Sequence, residues 1–321
     1  MFWNRDYSVY EYFKKHHANP YHFQSMKFSD KVKGTKSKEE LFRNADFVVI
    51  GISAHAIREN AVDFYKYLNK ASTFIIVSKG LEQKTMKRSS EVISEELKKS
   101  EFKHTIAVFS GGTTAADMAH QIPLIAEVAS EDEETKEKVA DLFHSHTLKI
   151  YTNDDLCSVE IAAALKNIVS IGAGICEGLG FETGTISSFI TRATYDIYKV
   201  AKVLGAKDDT FLPGSASVWG DIMLSSFGKT RNREFGRRIC CEKMKPEDIV
   251  LEMEDEHKTV EGYFTVKAAY DLIRKHDVNA PCIEEIYKIV YEGADPKDAL
   301  INLMGREKAK IDPNNNITNS R

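Results

Sequence analysis

The chain has 321 residues, of which 42% are hydrophobic and 29% charged, and its formal net charge at pH 7 is -4. This length suffices for two domains with buried cores, and the negative charge argues against a general attraction to nucleic acid or to an anionic membrane. The cysteines include no CxxC pair and are odd in number, so the sequence predicts neither a metal site nor a full disulfide framework and favours a reducing compartment.

The N-terminal residues, MFWNRDYSVYEYFKKHH, carry charges where a signal peptide needs an apolar core. No apolar run elsewhere is expected to approach the length of a membrane span. We therefore predict a cytoplasmic protein without stable membrane insertion.

The first half of the chain alternates β-rich runs with helical patterns. Strands are predicted over residues 45–53, 73–80, 105–112, 123–130 and 147–152. Amphipathic helices are predicted over residues 55–70, 89–100 and 132–145. Because several of these strands are apolar on both faces, the alternation predicts an α/β fold with a mostly parallel sheet that helices cover on both sides.

The second half lacks strand patterns from Asp154 onward, and helical patterns continue to about Arg306. We predict an α/β domain over residues 1–153, an all-helical domain over 154–311 and a disordered tail over 312–321. A ligand cleft is expected between the two domains.

The stretch EIAAALKNIVSIGAGICEGLG, residues 160–180, is apolar on almost every helical face and contains one lysine, Lys166. The pattern predicts a helix that is buried all round. A lysine in such a helix either extends its stem to water or faces a cleft. Partial burial at a cleft would lower the pKa of the ammonium group and suit it to proton transfer near neutral pH. The stretch alone leaves both options open.

Two predicted strands end in residues that suit an anionic ligand. In FSGGTTAADMA, residues 109–119, a strand ends at Gly111 and Gly112, and Thr113 is a candidate helix N-cap. VSKG, residues 77–80, places Lys79 at the edge where parallel sheets bind ligands. A plain strand-to-helix turn, or a lysine that simply leaves the core, would have the same sequence.

The segment GKTRNREFGRR, residues 228–238, concentrates basic side chains in an acidic protein. Arg231 could bind two phosphate oxygens with support from the Asn232 amide, and a solvated basic face is the alternative. The overall charge disfavours a nucleic-acid patch. Upstream, Asp221 lies among apolar residues, where a carboxylate needs a partner such as a substrate hydroxyl or Lys166.

The chain contains, in this order, SKG, SGGTTA, EIAAALKNIVSIGAGICEGLG, FITRATYDIYKVAKVLGA, GD followed by TRNREFG, and VEGYFTVKAAY. Their order and spacing resemble the bacterial-type NAD(P)-dependent glycerol-3-phosphate dehydrogenases from about Phe2 to Arg306. The resemblance implies a Rossmann-like dinucleotide-binding domain followed by a helical substrate and catalytic domain. It also implies hydride exchange between NAD or NADP and C2 of dihydroxyacetone phosphate, which gives sn-glycerol 3-phosphate for glycerophospholipid synthesis.

The resemblance also implies roles for individual residues. Lys166 would be the proton donor and acceptor. The three-carbon substrate would be surrounded by Lys79, Gly111, Thr113, Asn167 and Asp221, with its phosphate held by Thr230, Arg231 and Asn232. The cofactor would contact Lys79, Ala115, Arg231, Thr259 and Glu261.

One part of the family pattern is missing. In that family a strand and a GxGxxG turn lie about 20 residues before the segment that WNRD, residues 3–6, resembles, and these 321 residues contain no such turn. We expect a truncated doubly wound sheet with an interior gap and two unpaired edges. Arg5 would lie where the adenosine ribose is read, which slightly favours the 2'-phosphate of NADPH, although Asp6 could accept from a free hydroxyl.

Two alternatives to the dehydrogenase stay open at this point. The chain could be a non-catalytic remnant that binds a phosphate metabolite or a protein partner. A hydroxyacid or ketopantoate-type reductase is the other alternative, and TRNREFG argues against it because this segment suits a phosphorylated substrate. The sequence leaves a homodimer open.

Overall fold

The computed structural model describes residues 1–23, 25–242 and 244–307. The strands are β1 (Phe2–Trp3), β2 (Gly34–Thr35), β3 (Phe47–Ile50), β4 (Thr73–Ile76), β5 (Thr105–Ser110), β6 (Leu124–Ala129) and β7 (Leu148–Asn153). The predicted tail, residues 312–321, lies outside the described residues, as does the end of the predicted helical domain.

Helices before the last strand are α1 (Tyr7–His16), α2 (Lys38–Phe42), α3 (Ile57–Ala61), α4 (Ser89–Leu97), α5 (Ala115–Ala119) and α6 (Glu133–Phe143). Helices after it are α7 (Leu156–Gly178), α8 (Thr183–Val203), α9 (Asp221–Phe227), α10 (Arg231–Cys241), α11 (Pro246–Asp255), α12 (Glu261–Lys275), α13 (Pro281–Tyr287) and α14 (Pro296–Met304). Two π-helical segments, Ala216–Gly220 and Lys288–Glu292, adjoin α9 and α13.

The central sheet has five strands in the order β3-β4-β5-β6-β7, and only the β5–β6 pair is antiparallel. β1 and β2 form a separate parallel pair, and no described strand pairs with the outer edge of β3. The prediction of an α/β fold with a mostly parallel sheet followed by helices is confirmed. The residues of the nucleotide half are thus divided between two sheets.

Apolar side chains alternate between the two faces of the central sheet. Phe74, Ile76 and Val108 pack against α3, α4 and the start of α7. Residues Ile75 and Val128 pack on the other face, against α6. Because both faces are covered, these strands contain continuous apolar runs rather than an alternation of apolar and polar residues.

Several predicted boundaries were wrong. The helix predicted over 55–70 is broken into α3 and two short 3-10 turns, because Asp63 adopts a left-handed conformation with φ of 62°. The buried side chain of Phe64 then turns inward against Phe74. Strand β4 ends at Ile76, and in the loop beyond it the Ser78 hydroxyl donates to the carbonyl of Ile50 at 3.1 Å. The elements β1, α1, β2 and α2 were not predicted.

The prediction that no apolar run approaches the length of a membrane span was wrong for helix α7. It is long and apolar enough to cross a membrane by length and composition, but its most apolar 18-residue window is entirely buried inside the fold. A core helix of a folded domain has the same composition as a membrane span. α7 is the central helix around which α8, α9, α10 and α12 pack.

Glycines allow α7 and α10 to pack with their backbones in contact. A Cβ atom on Gly174 would lie 2.0 Å from the carbonyl oxygen of Arg233, and one on Gly236 would lie 2.0 Å from that of Ile171. These distances are far below van der Waals contact, and the obstructing atoms are backbone. Any side chain at either position would therefore force the helices apart.

We predict that Gly174→Ala lowers the free energy of unfolding by at least about 2 kcal/mol, because the added methyl group overpacks a backbone contact. Urea unfolding followed by circular dichroism measures this change. Gly184→Ala is the matched control, since a Cβ atom at this helical position meets no atom within 4 Å. Equal stability of the two variants would contradict the close packing of α7 and α10.

Candidate active site

Lys166 is buried in the middle of α7, with 8% of its surface exposed. Its Nζ atom donates to Asp221 Oδ1 and to Ser225 Oγ, both at 2.5 Å. The side chain therefore ends on α9 and does not extend to bulk water. The structure thus excludes one of the two options that the sequence left open, a stem that extends to water, and binds the ammonium group to polar side chains of α9.

Asp221 joins two lysines that are far apart in sequence. Its carboxylate is fully buried, and Oδ2 accepts from Lys79 Nζ at 2.5 Å while Oδ1 accepts from Lys166. Lys79 lies in the loop after β4, and its Nζ is also 3.4 Å from the carbonyl oxygen of Gly111. Two ammonium groups and one carboxylate leave one positive charge at the junction of the sheet and the helices.

The pKa of Lys166 is lowered from its usual value to about 8. Burial is the largest cause, the charge of Lys79 lowers the pKa further, and Asp221 opposes both effects. A lysine with this pKa is mostly protonated at neutral pH but releases its proton readily. Strongly perturbed groups of this kind are concentrated at functional sites.

A chain of amides lies beside Lys166. Gly262 N–H donates to Asn232 Oδ1 at 2.9 Å, and Asn232 Nδ2 donates to Asn167 Oδ1 at 3.0 Å. Because the Gly262 N–H is a donor, it fixes the orientation of both amides. Asn167 Nδ2 is consequently left buried without a partner among the described residues. A buried donor of this kind is suited to an acceptor oxygen of a ligand.

The start of α10 also has free donors. Thr230 is the N-cap residue, but its hydroxyl donates to the carbonyl of Ser225 at 2.8 Å and does not cap the helix. The first-turn N–H groups of α10 therefore have no side-chain cap, a geometry suited to an anion. Arg231 is the first helical residue and is exposed, without an ion pair among the described residues.

Glu261 begins α12 near these cations. Burial raises the pKa of its carboxyl group, and the charges of Arg231, Lys79 and Lys166 lower it. In the described part of the chain its carboxylate has no salt-bridge partner within 4.0 Å. Glu261 thus lies near enough to the two lysines for their charges to lower its pKa, although no ion pair among the described residues joins it to them.

The turn after β5 differs from its prediction in one respect. Thr114, not Thr113, is the N-cap of α5, and its hydroxyl accepts from Asp117 N–H at 3.0 Å. The Thr113 N–H instead donates to the carbonyl of Gly111 at 2.8 Å, which tightens the turn. Ala115 is the first residue of α5 and is exposed.

The other predicted cofactor residues are Arg5, Ala115 and Thr259. Arg5 is exposed after β1, and its charge lowers the pKa of His55, which burial lowers more strongly. Thr259 is partly buried before α12. Across the described ranges, no hydrogen bond or ion pair joins Arg5, Ala115 or Thr259 to Lys79, Asp221 or Lys166.

Sequence reasoning missed two residues that hold this site together. Ser225 accepts from Lys166, and its position four residues after Asp221 would have placed it on the same face of α9. Glu127 is the one charged residue in the strand LIAEVA, and it binds the segment that precedes Asp221. A lone carboxylate in an apolar strand was the available signal.

The fold and the site define a two-domain α/β protein in which a Rossmann-like sheet and a helical domain meet at a Lys–Asp–Lys cluster. Among known proteins, the family descriptions "NAD-dependent glycerol-3-phosphate dehydrogenase N-terminus" and "C-terminus" match residues 1–136 and 155–301. The crystal structure of glycerol-3-phosphate dehydrogenase from Coxiella burnetii has a similar fold, with a TM-score of 0.87, 22% identity, and coverage of 95% of this chain and 90% of that one.

Two curated relatives are more similar in sequence. The glycerol-3-phosphate dehydrogenase [NAD(P)+] of Limosilactobacillus reuteri (strain DSM 20016) is 34% identical over 309 residues, which cover 95% of this chain and 89% of the relative. That of Bacillus subtilis (strain 168) is 33% identical over 292 residues, covering 91% and 83%. The chain belongs to the NAD-dependent glycerol-3-phosphate dehydrogenase family.

We predict that Asp221→Asn lowers the pKa of Lys166 below about 8, because it removes the charge that opposes burial. A pH titration of the lysine side-chain amines by NMR, assigned with Lys166→Ala, measures this shift. Asp196→Asn is the matched control, since Asp196 is also a buried carboxylate but pairs with another lysine, Lys199, at 2.7 Å on α8. An unchanged or raised pKa of Lys166 in Asp221→Asn would contradict the electrostatic role of Asp221.

Proposed function

We propose that the chain is an oxidoreductase that interconverts dihydroxyacetone phosphate and sn-glycerol 3-phosphate with NAD(H) or NADP(H), and so supplies a precursor of glycerophospholipids. The observation that carries this proposal is the buried Lys79–Asp221–Lys166 cluster beside the unpaired amide of Asn167. Membership of the family, over nearly the whole chain, supports the same reaction.

In the proposed mechanism, Lys166 holds the proton that moves to and from the C2 oxygen of the substrate. Asp221 keeps this ammonium group in place, and Lys79 adds the positive charge that stabilises the alkoxide developing at C2. Asn167 Nδ2, which has no partner among the described residues, donates to a substrate oxygen. The nicotinamide, when bound, supplies or receives the hydride.

We assign the phosphate of the substrate to the start of α10. The uncapped N–H groups there and the guanidinium of Arg231 are suited to a phosphate, and the guanidinium makes charge-assisted hydrogen bonds. Asn232 contributes through its backbone N–H, since its side chain already has partners within the protein. Thr230 lies at the N-cap position, where its hydroxyl and its N–H donate to the carbonyls of Ser225 and Gly228. Gly111 and Thr113 would line the opposite wall of the cleft.

A bound dinucleotide would find candidate residues for its nicotinamide end in this chain. These 321 residues contain no glycine-rich turn for its pyrophosphate. Glu261, a partly buried carboxylate without an ion pair among the described residues, fits the nicotinamide end together with Lys79, Ala115, Arg231 and Thr259. The pyrophosphate needs a glycine-rich turn after a strand, and these 321 residues contain no GxGxxG.

We also propose a slight preference for NADPH. Arg5 follows β1, at the position where this fold reads the ribose, and its guanidinium suits a 2'-phosphate. Arg5→Ala should therefore weaken NADPH binding more than NADH binding. Calorimetric titration of the wild-type chain and the variant with each cofactor tests this, and equal losses for both cofactors would count against it.

A cytoplasmic location and a homodimer are further proposals for this chain. The alternative of a non-catalytic remnant is not favoured. This is because Lys79, Asp221 and Lys166 of this chain have the arrangement that the proposed reaction requires.

We predict that Lys166→Ala lowers kcat about 100- to 10,000-fold, the range typical of a lost general acid–base group. Reduction of dihydroxyacetone phosphate by the wild-type chain should slow as the pH rises past about 8, because the donor must be protonated, and the reverse oxidation should quicken. Lys136→Ala is the control, since Lys136 is also buried but pairs with Glu133 at 2.6 Å on α6. Near-normal turnover of Lys166→Ala would refute the assignment.

We predict that Arg231→Ala raises the KM for dihydroxyacetone phosphate roughly 10- to 100-fold, the equivalent of one charge-assisted hydrogen bond. The KM for unphosphorylated dihydroxyacetone should change little. Steady-state kinetics with both substrates makes the comparison. Arg238→Ala is the control on the same helix, because Arg238 pairs with Glu242 and Glu252 instead. Equal effects on both substrates would favour a solvated basic face.

A further inference from the structure

Glu127 is a buried carboxylate whose partners are all neutral. It lies on β6, directly opposite Ser110 of β5, and 4% of its surface is exposed. One oxygen, Oε1, accepts from Ser215 Oγ at 2.8 Å and from the N–H groups of Ala216 at 2.5 Å and Ser217 at 3.3 Å. In the described part of the chain, no cation lies within salt-bridge distance of Glu127.

The other oxygen, Oε2, accepts from Ser217 Oγ at 2.7 Å and from Asn153 Nδ2 at 3.2 Å. Ser215, Ala216 and Ser217 are separated from Glu127 by about ninety residues, and the hydrogen bonds join the sheet to the helical domain. A carboxylate with five neutral donors is well solvated by the protein although it is buried. Loss of the carboxylate would leave these donors unpaired.

The segment that Glu127 binds leads directly to Asp221. It forms the π-helical turn Ala216–Gly220, and the N–H of Asp221 donates to the carbonyls of Ala216 and Val218. Gly112 contacts the same turn, since a Cβ atom there would lie 2.8 Å from the carbonyl oxygen of Gly220. The turn is therefore held at its start by Glu127 and at its end by the backbone after β5.

We propose that Glu127 is a positioning residue, which holds the turn before α9 so that the carboxylate of Asp221 lies between Lys79 and Lys166. This inference depends on the proposed function only for the measurement of turnover, and the measurement of the Lys166 pKa does not depend on it. The turn has a π-helical hydrogen-bond pattern that is rare and is found mainly at functional sites. Its geometry is fixed from outside, by the sheet, because five residues do not form a stable helix alone.

Release of the turn should change the surroundings of Lys166 in a defined direction. The charged groups that face Lys166 are Asp221 on α9, Lys79 after β4 and, at longer range, Glu261 on α12. Of these, Asp221 is the one attached to the turn. If its carboxylate moves away, burial and Lys79 are opposed less, and the pKa of Lys166 falls further below its present value of about 8.

The test compares Glu127→Ala with Glu127→Gln and with a matched variant, Glu160→Ala. Glu160 is also a buried glutamate, and it accepts from the N–H of Ser90 at 2.9 Å and pairs with Arg88 at 3.0 Å, so its partners belong to the start of α4 and not to the turn before Asp221. The pKa of Lys166 is read from NMR titration of the lysine amines, and thermal unfolding reports stability. Glu127→Gln keeps one acceptor oxygen for the N–H groups of the turn, but the amide nitrogen that replaces Oε2 accepts from neither Ser217 Oγ nor Asn153 Nδ2.

We expect Glu127→Ala to lower the pKa of Lys166 by about one unit and kcat by about 100-fold, which is the effect of an ångström-scale misplacement. Glu127→Gln should recover part of both losses, and Glu160→Ala should lose stability with the pKa of Lys166 unchanged. Equal pKa values in Glu127→Ala and Glu160→Ala would overturn the inference. If Glu127→Ala does not fold, a pKa of Lys166 in Glu127→Gln equal to that of the wild type would overturn it.

The NMR titration separates this inference from the proposed function, because it needs neither substrate nor cofactor. A wild-type chain without dehydrogenase activity, whose Lys166 pKa still falls in Glu127→Ala, would contradict the function and support the positioning role. If the wild-type chain is active and the pKa of Lys166 is the same in the wild type and in Glu127→Ala, the result would support the function and contradict the positioning role.

Discussion

The burial of the Asp221 carboxylate between Lys79 and Lys166 is the interaction on which the arrangement of this protein depends. A fully buried carboxylate is tolerated only where cations or hydrogen-bond donors replace its hydration. Its partners come from the loop after β4 and from α7, so the ion pairs can form only when the sheet and the helical domain meet. The charge cluster therefore joins the sheet to the helical domain, and it is the centre of the proposed reaction.

The central helix explains how this cluster can be so deeply buried. α7 is surrounded by other helices, and its glycines let α10 approach backbone to backbone. The same approach brings Asn232, near the start of α10, to Asn167, and the N–H of Gly262 orients both amides. Close packing of α7 thus sets the positions of Lys166 and Asn167, the two residues of this helix that have roles in the proposed reaction.

The two halves of the proposed site differ in how completely the described residues build it. On the substrate side, Lys166 and Asp221 are paired with each other, and Asn167 Nδ2 is a buried donor without a partner among the described residues. On the cofactor side, Glu261 and Arg231 are near the lysines, but β1 and β3 lie in different sheets.

The sequence by itself determined the α/β class, the strands of the sheet to within a few residues, the all-round burial of α7 and the family. These properties follow from local periodicity and from motif order, which a linear sequence records. It also pointed to Lys166 and Asp221, since isolated charges in apolar segments need partners. The sequence offered Lys166 as one possible partner of Asp221, and the structure contains this pair. Tertiary structure alone decided that Lys79 and Ser225 join them, because these residues reach them across long sequence separations. The role of Glu127 was decided in the same way, since its hydrogen bonds to residues 215–217 depend on how the sheet and the helices dock.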